Sequence, residues 1–209
     1  MPEMNPVSRF FVNASSSWRT GRFYNWIRKE APIPPAARCL EIGCGNGSLA
    51  LRFVEGFRPA QYVATDFDPR QVEQARHHAE KRYPNGPPAA LAFRTADMLG
   101  LSDGVASYDV VLAFVAIHHA SPSHHDFTEI PRALSELDRV LRPGGLLVYG
   151  EILHQEAIRK WLTDHGFTID RIRRRWRLET VVARKPGGPL GAAASPVGPA
   201  SVSSQPNPR

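Results

Sequence analysis

An apolar run that breaks into three alternating glycines constrains this chain more than any other stretch. Cys39, Leu40 and Ile42 supply an apolar strand, Gly43-Cys44-Gly45-Asn46-Gly47 follows, and Leu49, Leu51 and Phe53 restart apolar spacing on the helical side. Glycine takes positive φ at no steric cost and leaves no Cβ between the main chain and a ligand lying over it. The stretch therefore reads as a buried strand, a tight turn and the start of a helix. The unpaired N–H groups of that helix favour a carboxylate or phosphate at its end.

The ligand is constrained by the third glycine. A G-x-G-x-x-G dinucleotide fingerprint would need glycine where Ser48 stands, and here the glycine comes one residue earlier, at Gly47. Downstream, Gln61-Tyr62-Val63-Ala64-Thr65 reads as a second strand ending at Asp66, and Leu91 to Thr95 as a third, followed by Asp97. Between them a helix starts with Asp68 as N-cap, Pro69 at the first helical position and Gln71 completing a capping box. Asp68 thus has a structural task, whereas Asp66 has none and sits at a strand's carboxyl end, where open parallel sheets place ligand contacts. An acid about twenty residues past a glycine turn suits the ribose of a nucleotide-like ligand.

Acid-x-Gly-x-Gly-x-Gly, present as Glu41 to Gly47, resembles the first motif of class I S-adenosylmethionine-dependent methyltransferases, and the small-molecule, quinone-biosynthesis type among them. The resemblance runs from about Ala37 to Lys185. It implies an α/β three-layer sandwich: a mostly parallel seven-stranded sheet with an antiparallel C-terminal hairpin and helices on both faces. It implies S-adenosyl-L-methionine as cofactor, with S-adenosyl-L-homocysteine as product. The cofactor residues it implies are Glu41, Gly43, Cys44, Gly45, Asn46 and Gly47 in the turn, Asp66 for the ribose, and Phe67 on the adenine face. Asp97 would accept from the adenine amino group, the Met98 N–H would reach a ring nitrogen, and Phe114 closes the fourth strand beside them.

That fourth strand, Tyr108 to Phe114, is continuously apolar after its first two residues, as suits a strand covered on both faces at the centre of a sheet. His118 and His119 follow it. By resemblance the pair borders the methyl-transfer pocket, so either can orient or deprotonate an acceptor. Another pair, His124 and His125, adds nothing with metal-ligand spacing, and no metal is expected. Next come a helix carrying Ile130, Leu134, Leu137 and Leu141, a stop at Arg142-Pro143-Gly144-Gly145, a fifth strand, and a helix ending at Gly166. Phe167 to Arg173 and Leu178 to Arg184 then read as paired strands. Arginines at 171, 173, 174, 175 and 177 around Trp176 read either as a charge-blunted edge or as a grip on phosphates.

Residues 1–36 form an N-terminal helical extension or lid, residues 37–185 the cofactor-binding domain, and residues 186–209 a disordered tail rich in Pro, Gly, Ala and Ser. In the extension Trp18, Phe23, Trp26 and Ile27 share a helical face, and Trp18, Phe23 and Tyr24 are lid residues by resemblance, Tyr24 among the candidate catalytic groups. With 209 residues, 42% hydrophobic, the chain suits one α/β domain. No secretory or membrane-spanning run is visible, and two cysteines are too few for a disulfide framework, so a cytoplasmic location is expected. The expected reaction is methyl transfer to an O, N or C nucleophile of a small-molecule acceptor by a monomer or homodimer, without a membrane. An RNA or protein methyltransferase using the arginine hairpin and a catalytically silent cofactor-binding module stand as the alternatives.

Overall fold

The computed structural model describes residues 6–123 and 126–187, residues 6–17 by backbone alone. His124 and His125 and the chain beyond Gly187 lie outside the described residues. The elements in order are α1 (Pro6–Glu30), β1 (Arg38–Ile42), α2 (Ser48–Phe57), β2 (Gln61–Asp66), α3 (Pro69–Arg82), β3 (Leu91–Thr95) and β4 (Tyr108–Phe114), followed by a single 3-10 turn, Ile117–Ala120. Then come α4 (Ile130–Val140), β5 (Leu141–Glu151), α5 (Gln155–Asp164), β6 (Thr168–Arg175) and β7 (Leu178–Arg184).

The strands make one seven-stranded sheet in the order β3-β2-β1-β4-β5-β7-β6, with β4 at its centre. β1 to β5 pair in parallel, and β7 runs antiparallel to both β5 and β6. The order reverses between β1 and β4, and a crevice outside the carboxyl ends of the strands forms at such a switch point. Because successive side chains on a strand face opposite ways, the apolar strands feed two cores. Leu40, Ile42, Val111, Ala113, Leu147 and Tyr149 pack beneath α4 and α5. Cys39, Tyr62, Ala64, Val110, Leu112 and Val148 pack beneath α1 and α2, with Ala75 of α3 beside them.

Periodicity explains how the helices seat. α2 buries Leu49, Ala50, Phe53 and Val54, and α4 buries Ile130, Ala133, Leu134, Leu137 and Val140, each set on a single face. Phe53 is fully buried against Tyr62 and Phe57, so truncating it to alanine would cost about 3–5 kcal/mol. α1 is longer than its proline-bounded apolar stripe required. It buries Phe23, Tyr24, Trp26 and Ile27, whereas Trp18, expected on that face, is 67% exposed beneath the Arg22 guanidinium.

Two local expectations are corrected. Leu141 does not continue α4: it pairs with Tyr108 in the sheet, and the register then shifts so that Val110 meets Leu146. Arg142 to Gly145 is accordingly a bulge within β5, held by the Arg142–Asp109 ion pair at 2.7 Å and by the Lys185 N–H on the Gly145 carbonyl. At α3 Asp68 caps the Arg70 N–H at 2.9 Å as expected, but Gln71 does not close a capping box. The Asp68 N–H goes to Asp66 instead, and the Gln71 Oε1 is buried without a hydrogen bond.

The edge strand β6 is exposed along most of its length. Part of its charge is committed. Arg174 and Arg159 both bond Glu179, which is fully buried, at 2.7 and 2.8 Å, while Arg171 faces Glu30 at 3.7 Å. An edge carrying this much charge resists pairing with another sheet. Among the described residues no helix is long and apolar enough to cross a membrane.

Candidate functional site

The glycine turn lies at the carboxyl end of β1, beside the switch point. Gly43, Gly45 and Gly47 all take positive φ, at 68°, 52° and 76°. Their surroundings give each a different reason to lack a side chain. A Cβ at Gly43 would stand 2.6 Å from the Ala116 Cβ, and one at Gly47 would stand 2.9 Å from the Ala75 Cβ. At Gly45 a Cβ would meet only the Gln71 Oε1, at 3.9 Å. Two of the glycines let protein pack on protein, and the third leaves a cradle for something else. No side chain caps α2 at Gly47, and Asn46 Oδ1 accepts from the Ser48 N–H and hydroxyl.

Asp66, at the end of β2, faces this cradle. Its Oδ2 accepts the Gly45 N–H at 2.8 Å and its Oδ1 the Asp68 N–H at 3.0 Å. It therefore has the structural task that the sequence reading denied it: it ties the glycine turn to the start of α3. Burial raises its carboxyl above the usual range, and backbone donors, Asp68 and Gly45 before Phe67, oppose that rise. A carboxylate offers about four lone-pair sites. Two bonds therefore leave capacity for ribose hydroxyls. Phe67 beside it is 47% exposed, an aromatic face left open at the crevice.

Glu41 lies beneath the turn, 3% exposed, and its Oε2 accepts the Tyr62 hydroxyl at 2.8 Å. Burial pushes its carboxyl up to about 8; the Tyr62 hydroxyl works against this and Asp66 adds to it. A buried acid in this state gains most from a cation brought near it. Cys44 is buried, its thiol held up by desolvation and by Glu41 and Asp66. Asp97 is exposed and accepts the Leu99 N–H at 2.9 Å, as a turn residue does, while Met98 is buried in the α4/α5 core.

Across the crevice, the chain leaves β4 through Val115, whose φ is 55°. A β-branched residue held there costs of order 1–3 kcal/mol and persists only where its surroundings over-determine it. Glu151, the fully buried last residue of β5, does much of that work. Its Oε1 accepts the Ala116 and Ile117 N–H groups at 2.9 and 2.7 Å, and its Oε2 lies 2.7 Å from His118 Nδ1. His118 is 3% exposed and its ring lies against that of His119, with centroids 4.1 Å apart. His119 is half-buried, so of the pair it has the more open access to a neighbouring molecule.

The turn glycines, Asp66, Phe67 and the histidine turn thus gather at one end of the sheet. Tyr24 is not brought to them. Its ring meets Phe57 edge-on at 6.0 Å, and its hydroxyl lies 1.8 Å from where a Cβ of Gly56 would be, at the far end of α2. Some nine residues of helix, about 13 Å, separate it from the glycine turn. Phe114 is half-buried and stacks on Phe23 at 4.5 Å, so its ring also seats α1 on the sheet. A cavity of about 450 Å³ between α1 and β6, lined by Arg22, Trp26, Lys29 and Arg173 among others, includes none of the crevice residues. Among the described residues no three of His, Cys, Asp and Glu gather as a metal site.

The sequence reading missed Glu151. Its only local signal was an acid ending a strand, the same signal that marked Asp66 and Asp97.

A family model described as a methyltransferase domain matches residues 39–145. The phthiotriol/phenolphthiotriol dimycocerosates methyltransferase of Mycobacterium leprae is 31% identical over 129 residues, 61% of this chain and 42% of that protein. The 27-O-demethylrifamycin SV methyltransferase of Amycolatopsis mediterranei is 33% identical over 134 residues, 64% of this chain and 45% of that protein. The chain thus spans less than half the length of these relatives. Among solved structures, magnesium protoporphyrin IX methyltransferase from Synechocystis with bound S-adenosylmethionine superimposes with a TM-score of 0.64 at 20% identity, covering 88% of this chain and 86% of that one. At that identity the likeness speaks for the fold.

Proposed function

Because the chain belongs to the methyltransferase-domain family, its model matching residues 39–145, we propose that it moves the methyl group of S-adenosylmethionine to an O, N or C nucleophile of a small-molecule acceptor. Both relatives are named for acceptors that are not macromolecules, phthiotriol dimycocerosates and a rifamycin. The observation that carries the reading is the cradle at Gly45, open where a side chain would stand and bound through its N–H to Asp66. It fits a nucleoside: two backbone donors leave the Asp66 carboxylate room to accept ribose hydroxyls, at about 1.5–3 kcal/mol for a charge-assisted bond.

In this reading Phe67 covers the adenine, Asp97 accepts from its amino group, the Met98 N–H meets a ring nitrogen, and Glu41 faces the cationic end of the cofactor. Cys44, Asn46 and Phe114 border it. The bound cofactor supplies an activated methyl on a sulfonium. The protein aligns the acceptor with that methyl and excludes water, the main sources of rate in such a transfer. His119 orients or deprotonates the acceptor, with His118 behind it. A nucleophile that is already anionic, or an unprotonated amine, needs no base. The helix before residue 37 acts as a cover. The free thiols of Cys39 and Cys44 suit a reducing, cytoplasmic setting.

Calorimetry with S-adenosylhomocysteine tests the cofactor half: Asp66→Ala is expected to weaken binding at least tenfold, and unchanged affinity would remove the ribose role. A labelled-methyl screen against small hydroxyl, amine and hydroquinone acceptors tests the rest. No transfer from a protein that binds the cofactor would refute the enzyme reading.

A further inference from the structure

Glu151 is fully buried, and every contact it makes on the crevice side is an acceptance. Ala116 and Ile117 donate their N–H groups to one carboxylate oxygen at 2.9 and 2.7 Å, and Ile152 donates to the other at 3.3 Å. That second oxygen also stands 2.7 Å from His118 Nδ1. Both carboxylate oxygens are thus committed as acceptors of fixed backbone N–H groups. The ring nitrogen facing it must then carry the hydrogen. In a neutral imidazole the other nitrogen, Nε2, becomes the acceptor.

The same carboxylate reaches both halves of the crevice. Through Ala116 it holds the chain that crowds the missing side chain of Gly43, where a Cβ would stand 2.6 Å away. Through His118 it holds the surface on which His119 lies, ring centroids 4.1 Å apart. Val115, at φ 55°, is clamped just before these contacts, its own N–H on the Gly150 carbonyl at 2.7 Å.

We propose that Glu151 is the positioning residue of the acceptor side, an acceptor that fixes His118 as its Nδ1–H tautomer and so sets the place of His119 against the glycine turn. This rests on the reading of the histidine turn as the acceptor side. A buried acid that merely filled space would leave the tautomer of His118 unspecified. Glu151→Gln sharpens the contrast: its amide nitrogen brings hydrogens toward Nδ1, which must then accept, so the ring proton moves to Nε2.

The test is long-range ¹H–¹⁵N spectroscopy of the full chain labelled at histidine nitrogen, with His118→Asn to assign the signal among the eight histidines. The wild type is expected to show Nδ1–H at His118. Glu151→Gln is expected to switch it to Nε2–H, while the affinity for S-adenosylhomocysteine stays within threefold and the ¹³C resonance of bound [methyl-¹³C]S-adenosylmethionine moves. A wild type with Nε2–H overturns the proposal, and so does a Glu151→Gln protein that keeps Nδ1–H. The wild-type spectrum decides the matter even if Glu151→Gln does not fold. It also needs no acceptor: Nδ1–H in a protein that transfers no methyl would support the positioning contact and refute the transfer reading, whereas Nε2–H in an active protein would do the reverse.

Discussion

Replacing Glu41 with glutamine is expected to remove a large part of the pH dependence of stability between about pH 4.5 and pH 8. Burial raises this carboxyl from an ordinary 4.5 to about 8, against the opposing Tyr62 hydroxyl and with a smaller contribution from Asp66. In the unfolded chain the group loses its proton near 4.5, while the folded protein keeps it until about 8. The folded state therefore binds more protons across this window, and stability falls as pH rises through it, by up to 1.36 kcal/mol per decade. Over the whole window that is up to about 5 kcal/mol. Below 4.5 both states are protonated, and above 8 both are ionised, so the contribution is flat outside the window. Glutamine is neutral throughout and still accepts from the Tyr62 hydroxyl. Urea denaturation of the ligand-free protein at pH 5, 7 and 8.5 reads the difference. Glu41→Gln should gain at least about 2 kcal/mol relative to wild type between the first and last condition. Parallel pH dependences would refute the assignment of a buried, protonated Glu41. A second reading follows from the ligand. A cation near Glu41 lowers its pKa, so S-adenosylmethionine binding at pH 7 should release protons from the wild type and fewer from Glu41→Gln, measured by calorimetry in buffers of different ionisation enthalpy.

The two crowded and uncrowded glycines should separate folding from binding. Gly43→Ala drives a Cβ to 2.6 Å from Ala116 and should lower the melting temperature by well over 5 °C, whereas Gly45→Ala meets no close atom and should cost about 1–2 kcal/mol of backbone strain yet weaken S-adenosylhomocysteine at least tenfold. Equal effects of the two on both readouts would contradict the cradle. His119→Ala should lower turnover at least tenfold while cofactor affinity changes less than threefold, and normal turnover on an acceptor found by the labelled-methyl screen would clear it of any part in transfer. Phe53→Ala should destabilise by about 3–5 kcal/mol in urea, since its ring is packed against Phe57 and Tyr62 in the apolar core.

What the amino-acid sequence by itself determined was whatever depends on neighbours along the chain. Positive φ at Gly43, Gly45 and Gly47, the Asp68 cap before Pro69 and the unbroken apolar run of β4 all follow from local sterics and from the burial period of a strand or helix. So did the antiparallel C-terminal hairpin, although β6 runs on to Arg175. Only the tertiary structure decided which distant groups meet. Leu141 fits the apolar stripe of α4 yet pairs with Tyr108, because a bulge gains the ladder and the Arg142–Asp109 ion pair. Gln71 fits a capping box yet turns toward Gly45, because Asp66 takes the Asp68 N–H first. Tyr24 fits a lid yet fills the space over Gly56. Glu151 and His118 stand 33 residues apart and meet because β5 lies beside β4 in a register that brings Gly150 opposite Phe114. A strand's period says which face a side chain takes. It does not say which strand lies alongside, and the chemistry of this crevice rests on that pairing.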